Sequence, residues 1–107
     1  MTAHGQPRAI FNRAIERGNL LMAETTAREM GRVSLMEALK LTALIALKDP
    51  RRRSRAAVRW LERMLDDHPA PTIEEASLAA AALCALGGPG HDDAASSLVA
   101  LTSRIVR

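Results

Sequence analysis

Tyrosine is absent from the 107 residues, and phenylalanine and tryptophan occur once each, as Phe11 and Trp60. A β fold draws heavily on aromatic and β-branched side chains, so this poverty argues against one. Any core must be built from Leu, Ile, Val, Met and Ala, and Ala lets helix backbones approach closely. One cysteine, Cys84, cannot form an internal disulfide framework. It lies within an apolar run, where it reads as a small buried hydrophobe rather than a reactive thiol. The longest apolar run, from Leu78 to Leu86, falls far short of the ~20 residues needed to cross a bilayer. The first residues lack the basic-then-apolar pattern of a signal peptide. A cytoplasmic protein with no membrane contact is the expectation.

What is present is ordinary in amount and uneven in placement. Apolar residues make up 48% and charged residues 25% of the chain, neither a disordered nor a membrane composition. The length fits one domain over residues 1–107, with residues 1–6 as a flexible tail. Folding should bury roughly 65% of the surface that the unfolded chain exposes. Thirteen arginines against two lysines, with abundant alanine, suggest a GC-rich genome.

Six stretches of helical periodicity are separated by breaks that carry start and stop chemistry. Asn19, Ser34, Asp49, Thr72 and the Asp92/Asp93 pair sit where N-caps belong, and Gly18, Gly31 and Gly87 sit where helices end. The first helix is predicted over Pro7–Arg17, opened by a proline whose missing N–H would be unpaired there anyway. The second is carried by Leu20, Ala23, Ala27 and Met30 on one face, with Glu24 and Arg28 as an i,i+4 pair on the other. The third, Leu35–Lys48, begins with the capping box Ser34-x-x-Glu37. It is apolar around most of its circumference and should therefore be central. The fourth runs over residues 50–67 behind Asp49-Pro50. His68-Pro69-Ala70-Pro71 is a rigid break. The fifth starts at a second capping box, Thr72 with Glu75, and its Ala-rich run to Leu86 should be buried on most sides. The sixth opens at Asp92 and ends at Arg104 and Arg107, an arrangement that complements the helix dipole.

Helices of this length joined by short loops are antiparallel neighbours. The expected fold is all-α: three antiparallel hairpins in a short stack or an orthogonal bundle. Gly18-Asn19-Leu20-x-x-Ala23-x-x-x-Ala27 resembles the turn and second helix of a tetratricopeptide repeat. The resemblance covers residues 7–31, and the later hairpins lack the Gly-Asn signature. It implies a short stack of helical hairpins. The chain as a whole is similar to small helical proteins of GC-rich bacteria, a likeness that implies no activity.

The main anomaly is Arg51-Arg52-Arg53-x-Arg55, continued by Arg59 and Arg63. Residues 51–63 hold six arginines against Glu62, a local net of +5, so the rest of the chain carries −2 of the overall +3. Arg52, Arg55, Arg59 and Arg63 fall on one face of the predicted fourth helix. Ala57, Val58, Leu61, Met64 and Leu65 fall on the opposite, core-facing side, with Trp60 nearby. Arg51 to Arg53 crowd the positive end of the helix dipole, where free amides and guanidinium groups together suit an anion. The face can hold an acidic protein, a phosphate backbone, or only water and local pairs, Arg63 with Asp67 and Arg59 with Glu62. A second candidate is Leu41 and Leu44, which lie on the polar stripe of the third helix among Glu37, Lys40 and Lys48. Exposed, they would form a homodimer seam or partner groove; the alternative is that another helix covers them.

No catalytic motif is present. His4, His68 and His91 are scattered, and no His-x-x-x-His or cysteine pair suggests a metal. The adjacent pairs Asp66/Asp67, Glu74/Glu75 and Asp92/Asp93 sit at helix ends. The glycines at 87–90 lack a P-loop's Gly-Lys-Ser/Thr. The expectation is a non-catalytic protein-interaction module without cofactor, one that could pair with itself. The alternative is nucleic-acid binding through the arginine face. The two differ in salt dependence, because counterion release makes the second fall steeply with salt.

Overall fold

A computed structural model describes residues 6–68 and 71–106. Residues 1–5 of the expected tail, with His4, lie outside the described residues, as do Pro69 and Ala70 of the rigid break and Arg107. Within the described residues the chain forms six α-helices and no strand. They are α1 (Pro7–Arg17), α2 (Leu20–Met30), α3 (Leu35–Lys48), α4 (Arg53–Asp67), α5 (Ile73–Ala85) and α6 (His91–Ile105).

Local chemistry explains most of the boundaries. Gly18 adopts φ 70°, ψ 25°, a left-handed conformation that costs glycine little. Its N–H donates to the Ile15 carbonyl at 3.1 Å and the Asn19 N–H donates to that of Ala14 at 2.9 Å. These two bonds close the end of α1 in a Schellman turn. The Asn19 side chain then accepts from the Met22 N–H and caps α2. Both expected capping boxes form, Ser34 with Glu37 and Thr72 with Glu75.

Two starts differ from expectation. Pro50–Arg52 is a 3-10 turn rather than the first turn of α4. Asp49 makes no side-chain cap there; its carboxylate instead accepts from Arg52 Nε at 2.8 Å. Helix α6 begins one residue early, at His91, with Gly90 preceding it and Asp92 and Asp93 in its first turn. His91 Nδ1 lies 2.7 Å from the Leu86 carbonyl. That oxygen can only accept, so the ring donates and ties α6 to the end of α5.

The connections are short, and α1 packs with α2, α3 with α4, and α5 with α6. The hairpins do not simply follow one another, because α6 returns to pack on α3. Helices α3 to α6 therefore surround one core built on Leu35, Leu39, Trp60, Met64, Leu83, Leu86, Leu98 and Leu101. The α1–α2 hairpin docks on another side of α3 around a smaller cluster of Phe11, Ala14, Ala23 and Leu44. Helix α3 is central, as its sequence requires. No buried side-chain polar atom lacks a partner among the described residues. The buried threonines Thr26, Thr42 and Thr102 each donate to the carbonyl four residues back, which satisfies the hydroxyl without a tertiary partner.

Candidate functional site: the groove beside helix α4

The sequence offered Leu41 and Leu44 as an exposed stripe, and the structure corrects this. Leu44 is only 7% exposed, and Leu41 packs partly buried against the same small cluster as Phe11. The α1–α2 hairpin covers both. An apolar pair among lysines was the visible mark of a second buried face on α3.

The five arginines do not form one free stripe. Arg52 turns towards α2, where its Nη1 and Nη2 meet the Glu24 carboxylate at 2.7 and 2.9 Å while Nε holds Asp49. Glu24 is thus engaged with a residue far along the chain rather than with its expected neighbour Arg28. Arg63 donates to Asp67 at 3.0 Å, as expected, and also to the Val33 carbonyl. Arg52 and Arg63 therefore clamp α4 to the α2–α3 region. Arg51, Arg55 and Arg59 remain exposed, and neither they nor Arg53 has an ion-pair partner among the described residues. The expected pair of Arg59 with Glu62 is not made.

A second long-range pair works with the first. Arg8 on α1 binds Glu37, with Nη2 to Oε1 at 3.1 Å, while Glu37 also completes its capping box. The Arg8 side chain holds the Glu37 carboxyl below its ordinary pKa of 4.5, aided by Ser34 and opposed by burial. Arg52 does the same to Glu24, again against burial. Depressed carboxyl pKa values stabilise the fold fully above the ordinary value, and that contribution disappears as the pH falls through the lowered ones. Acidification from pH 7 to below 4.5 should therefore loosen the α1–α2 hairpin first. Amide exchange along the chain tests this; equal loss of protection in α5 and α6 would refute it.

The exposed surface that remains is apolar and lies on the other flank of α4. Trp60 and Met64 point into the core, and Trp60 Nε1 donates to the Leu35 carbonyl at 3.0 Å. Val58 and Leu65 were expected on that side but lie next to it, 55% and 41% exposed. Val58, Ala57 and Leu61 border an open groove of about 370 Å³ between α4 and α5, whose far wall is Ala80, Leu83 and Cys84; Leu65 lies one turn beyond Leu61 on α4, outside the groove. Cys84 is exposed there, which corrects its reading as a buried hydrophobe. Helix α5 buries Ala79, Ala82 and Leu83, with Leu86 buried just past its end, so Cys84, about 100° beyond Leu83, turns outwards. Ile73, at the start of α5, is 82% exposed.

Arg53 sits at the end of the groove and contributes to its lining. Its guanidinium occupies the space that a Cβ on Gly87 would need, so the absence of a side chain at 87 lets Arg53 lie across the α5–α6 turn. The groove offers hydrocarbon, one thiol, the Ser54 hydroxyl and a guanidinium. It can bury a partner's apolar side chains, and its polar groups are too few to hold a small polar ligand by themselves. Among the described residues no cluster of His, Cys, Asp or Glu could hold a metal ion, and no helix is long and apolar enough to cross a membrane.

The six helices make a small all-α bundle. No protein-family model, curated protein or solved structure matches the chain.

Proposed function

We propose that the chain is a non-catalytic protein-interaction module that receives a partner's apolar surface against Val58, Leu61 and Leu65 of α4 and the adjoining wall of α5. The observation that carries this reading is the open apolar groove between α4 and α5, with half-buried Leu61 in its wall, Val58 exposed at its rim and Leu65 exposed beside it on α4. Isolated exposed leucines are normal on any surface, but an apolar groove bordered by charge is the form that docking sites take. The tetratricopeptide-like sequence at residues 7–31 is consistent with such a role. A cytoplasmic setting belongs to the same reading and suits an exposed single thiol.

The exposed arginines favour a second reading. Arg51, Arg55 and Arg59, exposed and without carboxylate partners among the described residues, would also attract a phosphate backbone. Glu62 and Asp66 lie on the same exposed side of α4 and shorten the basic surface.

Capture from extracts of the source organism, with and without nuclease, tests both readings. The protein reading expects specific protein partners that survive nuclease and are lost with Val58→Asp/Leu65→Asp, a change at exposed positions that leaves the helical spectrum intact. Retention unchanged in that variant would refute the groove as the contact. Material lost on nuclease treatment and unaffected by the variant would establish the second reading instead.

A further inference from the structure

We propose that the groove's partner is a second copy of this chain, paired antiparallel with the first along α4 about a two-fold axis near Leu61. This rests on the reading of the groove as a protein contact and names its occupant.

The first argument is the order of charge along α4. Its exposed side reads Arg55, Arg59, Glu62, Asp66, which at about 100° per residue occupies an arc of about 60°. The cations all fall in the N-terminal half and the anions in the C-terminal half. The apolar strip of Val58, Leu61 and Leu65 runs directly beside this arc. When two identical helices meet antiparallel through the apolar strip, the charged flank of each faces the same flank of the other in reverse order. A two-fold contact must be self-complementary: if residue i meets residue j, then j meets i. Centred near Leu61, the pairing sets Arg59 opposite Glu62 and Arg55 opposite Asp66, each twice. Val58 then meets Leu65, and Leu61 meets its own copy. Parallel pairing about a two-fold axis along the helices would instead leave the two charged flanks on opposite sides of the dimer, where they do not meet.

The second argument is the helix dipole. Among the described residues, α3 and α6 carry acid in the first turn and base in the last, α1 and α2 carry base in the last, and α5 carries acid in the first. Helix α4 has neither. Arg53 and Arg55 crowd its positive end, and Asp66 and Asp67 its negative end, the reverse of what an isolated helix favours. Asp67 is neutralised by Arg63. Antiparallel pairing brings the remaining misplaced charges of one copy next to the opposite end of the other, which offsets both. Residues that oppose their own helix are complementary to its reversed twin.

Helix α4 has 15 residues and so extends about 22 Å. With the edge of α5 this is a small interface, at the low end of specific contacts, so the dimer should be weak and concentration-dependent. Residues 55, 59, 62 and 66 are all exposed, so changing them leaves the monomer fold intact.

The test is sedimentation equilibrium on the wild type and two charge variants of the full chain. Arg55→Glu/Arg59→Glu makes the stripe wholly acidic, and Glu62→Arg/Asp66→Arg makes it wholly basic. The wild type should pass from monomer to dimer between micromolar and millimolar concentration. Each variant alone should associate about tenfold or more weakly, because like charges then face each other. Their equimolar mixture should recover dimer to the wild-type level, since every facing pair is again opposite. A wild type that stays monomeric at millimolar concentration would overturn the proposal, as would variants that dimerise like the wild type or a mixture that does not recover. If the wild type is monomeric while Val58→Asp/Leu65→Asp still abolishes capture of another protein, self-pairing fails and the groove reading stands.

Discussion

Trp60→Ala should remove a large part of the folding stability. The indole is 2% exposed and sits within the core shared by α3 to α6. Truncating a buried tryptophan to alanine costs about 3–5 kcal/mol, from lost apolar burial and the cavity left behind. Domains of this kind have only about 5–15 kcal/mol in total. The loss has a second part: Trp60 Nε1 supplies a hydrogen bond to the Leu35 carbonyl at 3.0 Å, and the bond is buried. The midpoint of thermal unfolding, followed by circular dichroism, should drop by roughly 15–25 °C. Trp60→Phe should fall between the two, because it keeps a ring but leaves the Leu35 carbonyl without its donor. A drop of a few degrees in the alanine variant would mean that the indole is not packed as described.

Phe11→Ala should cost about as much locally, about 3–5 kcal/mol, with a different consequence. Phe11 is fully buried in the cluster with Ala14, Ala23 and Leu44, while Ile15, Leu20 and Met30 of the hairpin pack against it only partly buried. That cluster is separate from the core formed by α3 to α6. Its other fully buried members from the hairpin are alanines, which cannot close over the space. The hairpin should undock while the four remaining helices hold, because local opening follows the distribution of buried contacts. Amide exchange would then show α1 and α2 unprotected and α5 and α6 protected, whereas Trp60→Ala lowers protection everywhere. Undocking would also expose Leu41 and Leu44. Uniform loss of protection in Phe11→Ala would show that the two clusters unfold as one.

The contrast between the two residues follows from α3. Leu35 and Leu39 face the large core and Leu44 faces the hairpin, so one helix serves two clusters. The ion pairs Arg8–Glu37 and Arg52–Glu24 reinforce the hairpin's attachment. Both depend on an ionised carboxylate, which is why acid should act on the same hinge as Phe11→Ala.

The six helices could be placed from the chain alone, because the interactions that bound them span three to five residues. Ser34 reaches Glu37, Thr72 reaches Glu75, Asn19 reaches Met22, and Gly18 supplies the one left-handed residue that its turn needs. Periodicity also identified α3 as central, since an all-round apolar helix has no other place. The surface could not be read this way. Arg52 and Arg55 look alike along a helix, yet Arg52 is held by Glu24, 28 residues away, and Arg55 is exposed. The Ala-rich α5 gives almost no amphipathic signal, so the outward turn of Cys84 was hidden. Val58 and Leu65 share an apolar arc with Met64, and only the position of α5 decides which of the three is covered. Capping and period are local and therefore written in neighbouring residues. Exposure depends on which distant helix arrives at a face, and packing across the chain settles that.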